Sequence, residues 1–196
     1  MIARRALLVL ASLGWLAFAA TPGLANDAEV FVEQTANEVV AILSDPERDF
    51  QARYTDLVAL LEGSTDLETV SRLVIGKDWR TLDESQREEF QQSYRSYLLD
   101  MLAERLQVYE YSGETIEVLG TRESGKRDKV VSTKIIAANG QPFRVDWRVR
   151  ERDEDNLVID VAIEGVSLVL SQRSEFSSVM QRDGFDALLE QLRTKS

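Results

Sequence analysis

Apolar residues recur with two different periods along this chain, and the change of period divides it. From Ala28 to Leu106 the spacing is helical. Ala28, Phe31, Val32, Thr35, Ala36, Val39 and Leu43 share one face of a first helix. Asp45-Pro46 stops it and is expected to cap a second helix, with Pro at its first position. Phe50, Tyr54, Leu57, Val58 and Leu61 form the next stripe, broken at Gly63-Ser64-Thr65. A short third helix carries Leu67, Val70, Leu73 and Val74 and ends at Gly76. Thr81-Leu82-Asp83-Glu84 predicts a capping box, with Thr81 accepting from the backbone and Glu84 reaching back. The long helix it opens carries Phe90, Tyr94, Tyr97, Leu98, Met101, Leu102 and Leu106.

Beyond Ile116 and Val118 the period becomes two. Val131, Thr133 and Ile135 lead to Asn139-Gly140, a hairpin signal. Phe143, Val145, Trp147 and Val149 then alternate with Arg144, Asp146, Arg148 and Arg150. A turn at Asp153-Glu154-Asp155-Asn156 precedes Leu157, Ile159, Val161 and Ile163 on a fourth strand. One apolar and one charged face are what an antiparallel sheet with a wet side requires. Helical spacing returns from Ser174 to Asp183, stops at Gly184 and resumes with Phe185, Leu188, Leu189 and Leu192. Helices, then strands, then helices predict an α+β fold: about four antiparallel strands packed against N- and C-terminal helices.

The N-terminus reads as a secretion signal. Arg4 and Arg5 precede an apolar run from Ala6 to Ala20, and Gly23-Leu24-Ala25 suits a signal peptidase. About 15 apolar residues are too few to span a bilayer. Residues 1–25 are therefore expected to be cleaved and 26–196 to form a single exported domain; an uncleaved anchor is the alternative. Loss of the two arginines takes the formal charge from −11 to −13. Such an acidic chain is a poor partner for nucleic acid or an anionic bilayer. It has no Cys, hence no disulfide or thiol chemistry.

Little catalytic chemistry is available. The absence of His excludes imidazole-based triads and imidazole metal ligands. Gly120 and Gly125 are isolated, so there is no Gly-rich phosphate loop. Carboxylates remain, but Asp153, Glu154 and Asp155 read as a solvated turn. Glu164 ends an apolar strand and is expected to pair with an Arg or to accept backbone N–H groups at the Gly165 turn.

Several segments together resemble a known family. Asp160-Val161 is followed by Glu164-Gly165-Val166-Ser167, then Phe176, then Gly184-Phe185-Asp186-Ala187-Leu188. Upstream stand Val74-Ile75-Gly76-Lys77-Asp78-Trp79-Arg80 and a helix with Gln86-Arg87 and Phe90. This set resembles the MlaC family, also called toluene-tolerance or MCE-type ABC transporter auxiliary proteins, although Leu157 stands where an aromatic is expected. The resemblance covers nearly all of residues 26–196. It implies a strongly curved antiparallel sheet against helices with a deep apolar pocket between the layers. It implies a soluble periplasmic phospholipid carrier, not an enzyme, with lipid as cargo and no cofactor or metal. The implied partners are an inner-membrane MCE-domain protein of an ABC transporter and an outer-membrane lipoprotein-porin complex. Lipid would pass between them and maintain outer-membrane asymmetry, without stable membrane insertion by the carrier.

For such a carrier the expected lining is the apolar strand face and the helix residues opposite it. These are Leu73, Val74, Trp79, Phe90, Tyr94, Leu98, Met101, Val145, Trp147, Val149, Ile159, Val161 and Ile163, with Val166, Leu168 and Phe176 near the closing turn. For any one of them ordinary core is the commoner role. Trp79 stands out because it follows Gly76 in an expected loop. Tyr94 and Tyr97 can place hydroxyls at a pocket mouth, and Arg80 can meet a lipid phosphate. Two rival readings stay open: a carboxylate-based enzyme acting on an apolar substrate, and a lipid-free adaptor of the same system.

Overall fold

A computed structural model describes residues 27–136, 140–152 and 155–194. The expected signal at 1–25, Asn139 of the hairpin turn, and Asp153 and Glu154 lie outside the described residues.

Four helices come first: α1 (Asp27–Ser44), α2 (Phe50–Ser64), α3 (Leu67–Ile75) and, after a turn of 3-10 helix at Gly76–Arg80, α4 (Glu84–Val108). Strands β1 (Thr115–Glu123), β2 (Asp128–Ile136), β3 (Pro142–Arg152), β4 (Asp155–Ile163) and β5 (Val166–Ser167) follow. Helices α5 (Leu168–Asp183) and α6 (Phe185–Thr194) close the chain. The five strands form one antiparallel meander in chain order. The expected α+β architecture is observed, with a two-residue fifth strand beyond the four anticipated.

Local chemistry moves three boundaries. Asp45-Pro46 does not cap α2: Asp45 closes a turn, accepting from Glu47 N–H at 3.0 Å, and Asp49 caps the helix through Ala52 N–H at 2.8 Å. The capping box at α4 is Asp83 with Gln86, not Thr81 with Glu84. Asp83 has the extended backbone an N-cap needs, whereas the Thr81 hydroxyl donates to Asp78 O. Helix α5 starts at Leu168, six residues before Ser174. Ser167 caps it, and Asp160 accepts from both the Ser167 hydroxyl and Val169 N–H.

Two bulges bend the sheet. Leu119 is the extra residue in β1 and Ile159 the extra residue in β4. The second shifts the alternation: Val161 and Ile163 lie opposite Trp147 and Val145, but Val158 rather than Leu157 or Ile159 lies opposite Val149. The other face of β3 is charged and pinned. Asp128 accepts from both Arg148 and Arg150, and Asp146 pairs with Ser132 and Arg144. Burial alone would raise the Asp128 carboxyl; the hydrogen bonds from Arg150 and Arg148 outweigh it and hold the group below its ordinary value.

The main core joins α3, α4, α5 and α6 around Val74, Phe90, Tyr94, Phe176 and Leu188. Phe90 stacks on Tyr94 at 5.6 Å, and Phe176 meets both edge-on at 6.2 and 6.0 Å. A smaller cluster packs Ala28 and Val32 of α1 on Val131 and Val149.

Candidate functional site

A hollow of about 470 Å³ lies between α1, α2, the second half of α4 and the sheet. Each wall follows from a periodicity. Thr35, Val39 and Leu43 are successive turns of α1, and Leu57, Leu60, Leu61 and Ser64 form one side of α2. Leu98, Met101, Leu102, Arg105, Leu106 and Tyr109 form the α4 wall. Trp147, Val158 and Val161 supply the sheet wall, and Leu168 and Thr65 complete the lining.

Several polar atoms of the lining are turned to partners. Trp147 Nε1 donates to Thr133 Oγ1 at 3.0 Å, and that hydroxyl donates to Val145 O at 3.1 Å, so the ring is left as an apolar surface. Ser64 donates to Leu60 O at 2.6 Å. Thr65 bridges to Val158, and Asp66 N–H donates to Val158 O at 3.1 Å, joining the α2–α3 corner to the sheet. No Asp or Glu lines the hollow among the described residues. Arg105 is the one charged side chain of the lining. Two roomier depressions mix apolar and charged residues: one of about 590 Å³ between α1 and α2, with Glu38, Arg48 and Asp56, and one of about 800 Å³ between α3 and α4. Their charged residues keep water, which makes both poorer hosts for hydrocarbon than the hollow.

Of the sixteen expected lining residues, the structure brings Leu98, Met101, Trp147, Val161 and Leu168 together on this wall. Leu73, Val74, Phe90, Tyr94 and Phe176 pack into the closed core instead. Trp79 also packs on that core, edge-on to Phe90 and under Arg87, and borders the polar α3–α4 depression with Arg80. Val145, Val149 and Ile159 are buried in the packing of the sheet, while Ile163 and Val166 are 44% and 60% exposed. The Tyr94 hydroxyl donates to Gln172 rather than facing a pocket mouth, and burial, Tyr97 and Asp160 push its pKa up strongly. Glu164 has a structural role, but its bond runs to the neighbouring strand β3 rather than to the Gly165 turn or an Arg side chain. It and Gly165 both have positive φ, and its carboxylate accepts the Arg144 backbone N–H.

Sequence reasoning missed Val39, Leu43, Leu57, Leu60, Leu61, Leu102, Leu106, Tyr109 and Val158. The α1 and α2 stripes were visible, but nothing in them says which cavity a stripe faces. Val158 had no signal, because its position depends on the bulge.

Among the described residues no group of three or more acidic, His or Cys side chains is placed to hold a metal. No helix among them is long and apolar enough to cross a membrane.

Comparison with known proteins places this geometry. The family model described as MlaC protein matches residues 33–194. Toluene tolerance protein ttg2D of Pseudomonas putida is 24% identical over 190 residues, covering 94% of this chain and 86% of that protein. The solved phospholipid-binding protein of Ralstonia solanacearum, in complex with a phospholipid, has the same fold. Its TM-score is 0.74 at 23% identity, covering 87% of this chain and 97% of that one.

Proposed function

The chain belongs to the MlaC family, and from that premise we propose that it is a periplasmic phospholipid carrier without catalytic activity. It moves lipid between an outer-membrane complex and an inner-membrane MCE-type ABC transporter. The observation that carries this reading is the apolar hollow with no carboxylate in its wall. That lining suits acyl chains and offers no carboxylate to act as general acid or base. The same composition speaks against the carboxylate-enzyme alternative.

Transfer free energies set the mechanism. A diacyl lipid carries about 30 tail methylenes at roughly 0.8 kcal/mol each, so exposing both tails costs on the order of 24 kcal/mol. Release into water is therefore far too slow to serve transport, and hand-over takes place in a docked complex. The head group can remain in water.

Native mass spectrometry of protein recovered from the periplasm tests the carrier. We expect bound phospholipid on the wild-type chain and none on Val161→Asp, whose new charge faces the hollow, with circular dichroism unchanged. A wild-type chain recovered empty would favour the lipid-free adaptor.

A further inference from the structure

The polar end of the cargo also has a counterpart in the structure, and the argument rests on the carrier reading above. The α4 wall runs lengthwise along the hollow. Leu98 stands at its inner end, packed against the closed core. Arg105 lies two helical turns further on, about 10 Å at 1.5 Å per residue. Along that line Leu98, Met101 and Leu102 are half-buried and Leu106 is buried, whereas Arg105 and Tyr109 are exposed. Arg105 thus stands at the mouth of a cavity whose interior is hydrocarbon-like.

Several other arginines of the chain are already engaged. Arg48, Arg95, Arg148 and Arg150 are each held by a carboxylate. Arg105 has no ion pair or hydrogen bond through its side chain among the described residues, and no acidic residue shares its wall. A guanidinium presents a planar fork of donors that matches two oxygens of a phosphodiester. A diacyl lipid with its tails inside the hollow carries such a group at the mouth. We propose that Arg105 is the head-group ligand of this carrier, pairing with the lipid phosphodiester while the tails fill the hollow. The contact is at the water's edge, so it discriminates among lipids and adds little to retention.

Arg105 also sits in the last turn of α4, where any cation complements the helix dipole. The test must separate that role. The chain is loaded from vesicles holding equal amounts of phosphatidylcholine and diacylglycerol with identical tails, and bound lipids are quantified by mass spectrometry. Wild type is expected to enrich phosphatidylcholine. Arg105→Gln lowers the phosphatidylcholine-to-diacylglycerol ratio by a factor of about 1.5 to 5, the scale of an exposed ion pair. Arg105→Lys restores part of it, and added salt weakens the wild-type preference. An unchanged ratio in Arg105→Gln overturns the assignment, as does an equal loss of both lipids, which is what a purely helix-ending role produces. Inorganic phosphate that binds at Arg105 without displacing lipid would mark a free-phosphate site and also overturn it. A wild type that takes up neither lipid sinks the carrier reading itself, a pattern distinct from all of these.

Discussion

Helix α4 meets two different environments along one continuous stripe. Its first half sends Phe90 and Tyr94 into a closed core, where Phe176, Leu188 and Leu192 of α5 and α6 fill the space opposite. Its second half sends Leu98, Met101, Leu102 and Leu106 against α1, α2 and the sheet, and a hollow remains. The side chains are of one kind and the spacing is the same. What differs is the supply of facing volume: α5 and α6 close tightly over the first half, whereas α1, α2 and the sheet meet the second half and leave a gap. Cavity and core are thus decided by the partner elements, not by the wall itself.

The sharpest way to break this contrast is to empty the closed half. Phe176→Ala should cost about 3–5 kcal/mol in denaturant unfolding, because the ring stack around it cannot collapse into the void. A loss below about 1 kcal/mol would show that this region is as loose as the hollow.

A smaller effect is expected behind the sheet wall. Asp128→Asn should cost about 1–3 kcal/mol at neutral pH by stranding the two arginines that hold β3 from its outer face. The folded carboxyl lies below its ordinary value of 3.8, so its contribution is complete above that pH and is lost as pH falls through the folded value. The stability gap between wild type and Asp128→Asn should therefore narrow at strongly acid pH. A gap that stays constant would dismiss the ion cluster as a stabilising feature.

The smallest stability change should come from filling the open half. Leu102→Trp is expected to stay within about 1 kcal/mol of wild type, while Leu188→Trp, in the fully buried core, loses about 1–3 kcal/mol. Leu102→Trp should nevertheless reduce lipid uptake by occupying the hollow. Equal destabilisation of the two variants would mean that the second half of α4 is as tightly packed as the first.

Much of the architecture is legible in the residue order. The first three helical stripes, the β2–β3 alternation and the closing Gly184 all follow from local spacing. The boundary errors at Asp49, Asp83 and Ser167 arose where several polar residues in a row could cap, and only the backbone conformation selects among them. The site was less legible. Five expected residues reached the hollow, and aromatic positions such as Phe90 and Phe176 did not, because large rings can pack on one another as readily as on a ligand.

Amphipathic period, turn chemistry and composition are local properties, so residue order alone determined an α+β chain with a wet sheet face and no imidazole or thiol chemistry. Whether an apolar face ends against another side chain or against empty space is a property of distances between elements remote in the chain. The Ile159 bulge, the placement of Val158 on the wall and the gap left between Leu102 and the facing α1 and α2 were settled only by tertiary packing, since each depends on which elements the fold sets opposite one another.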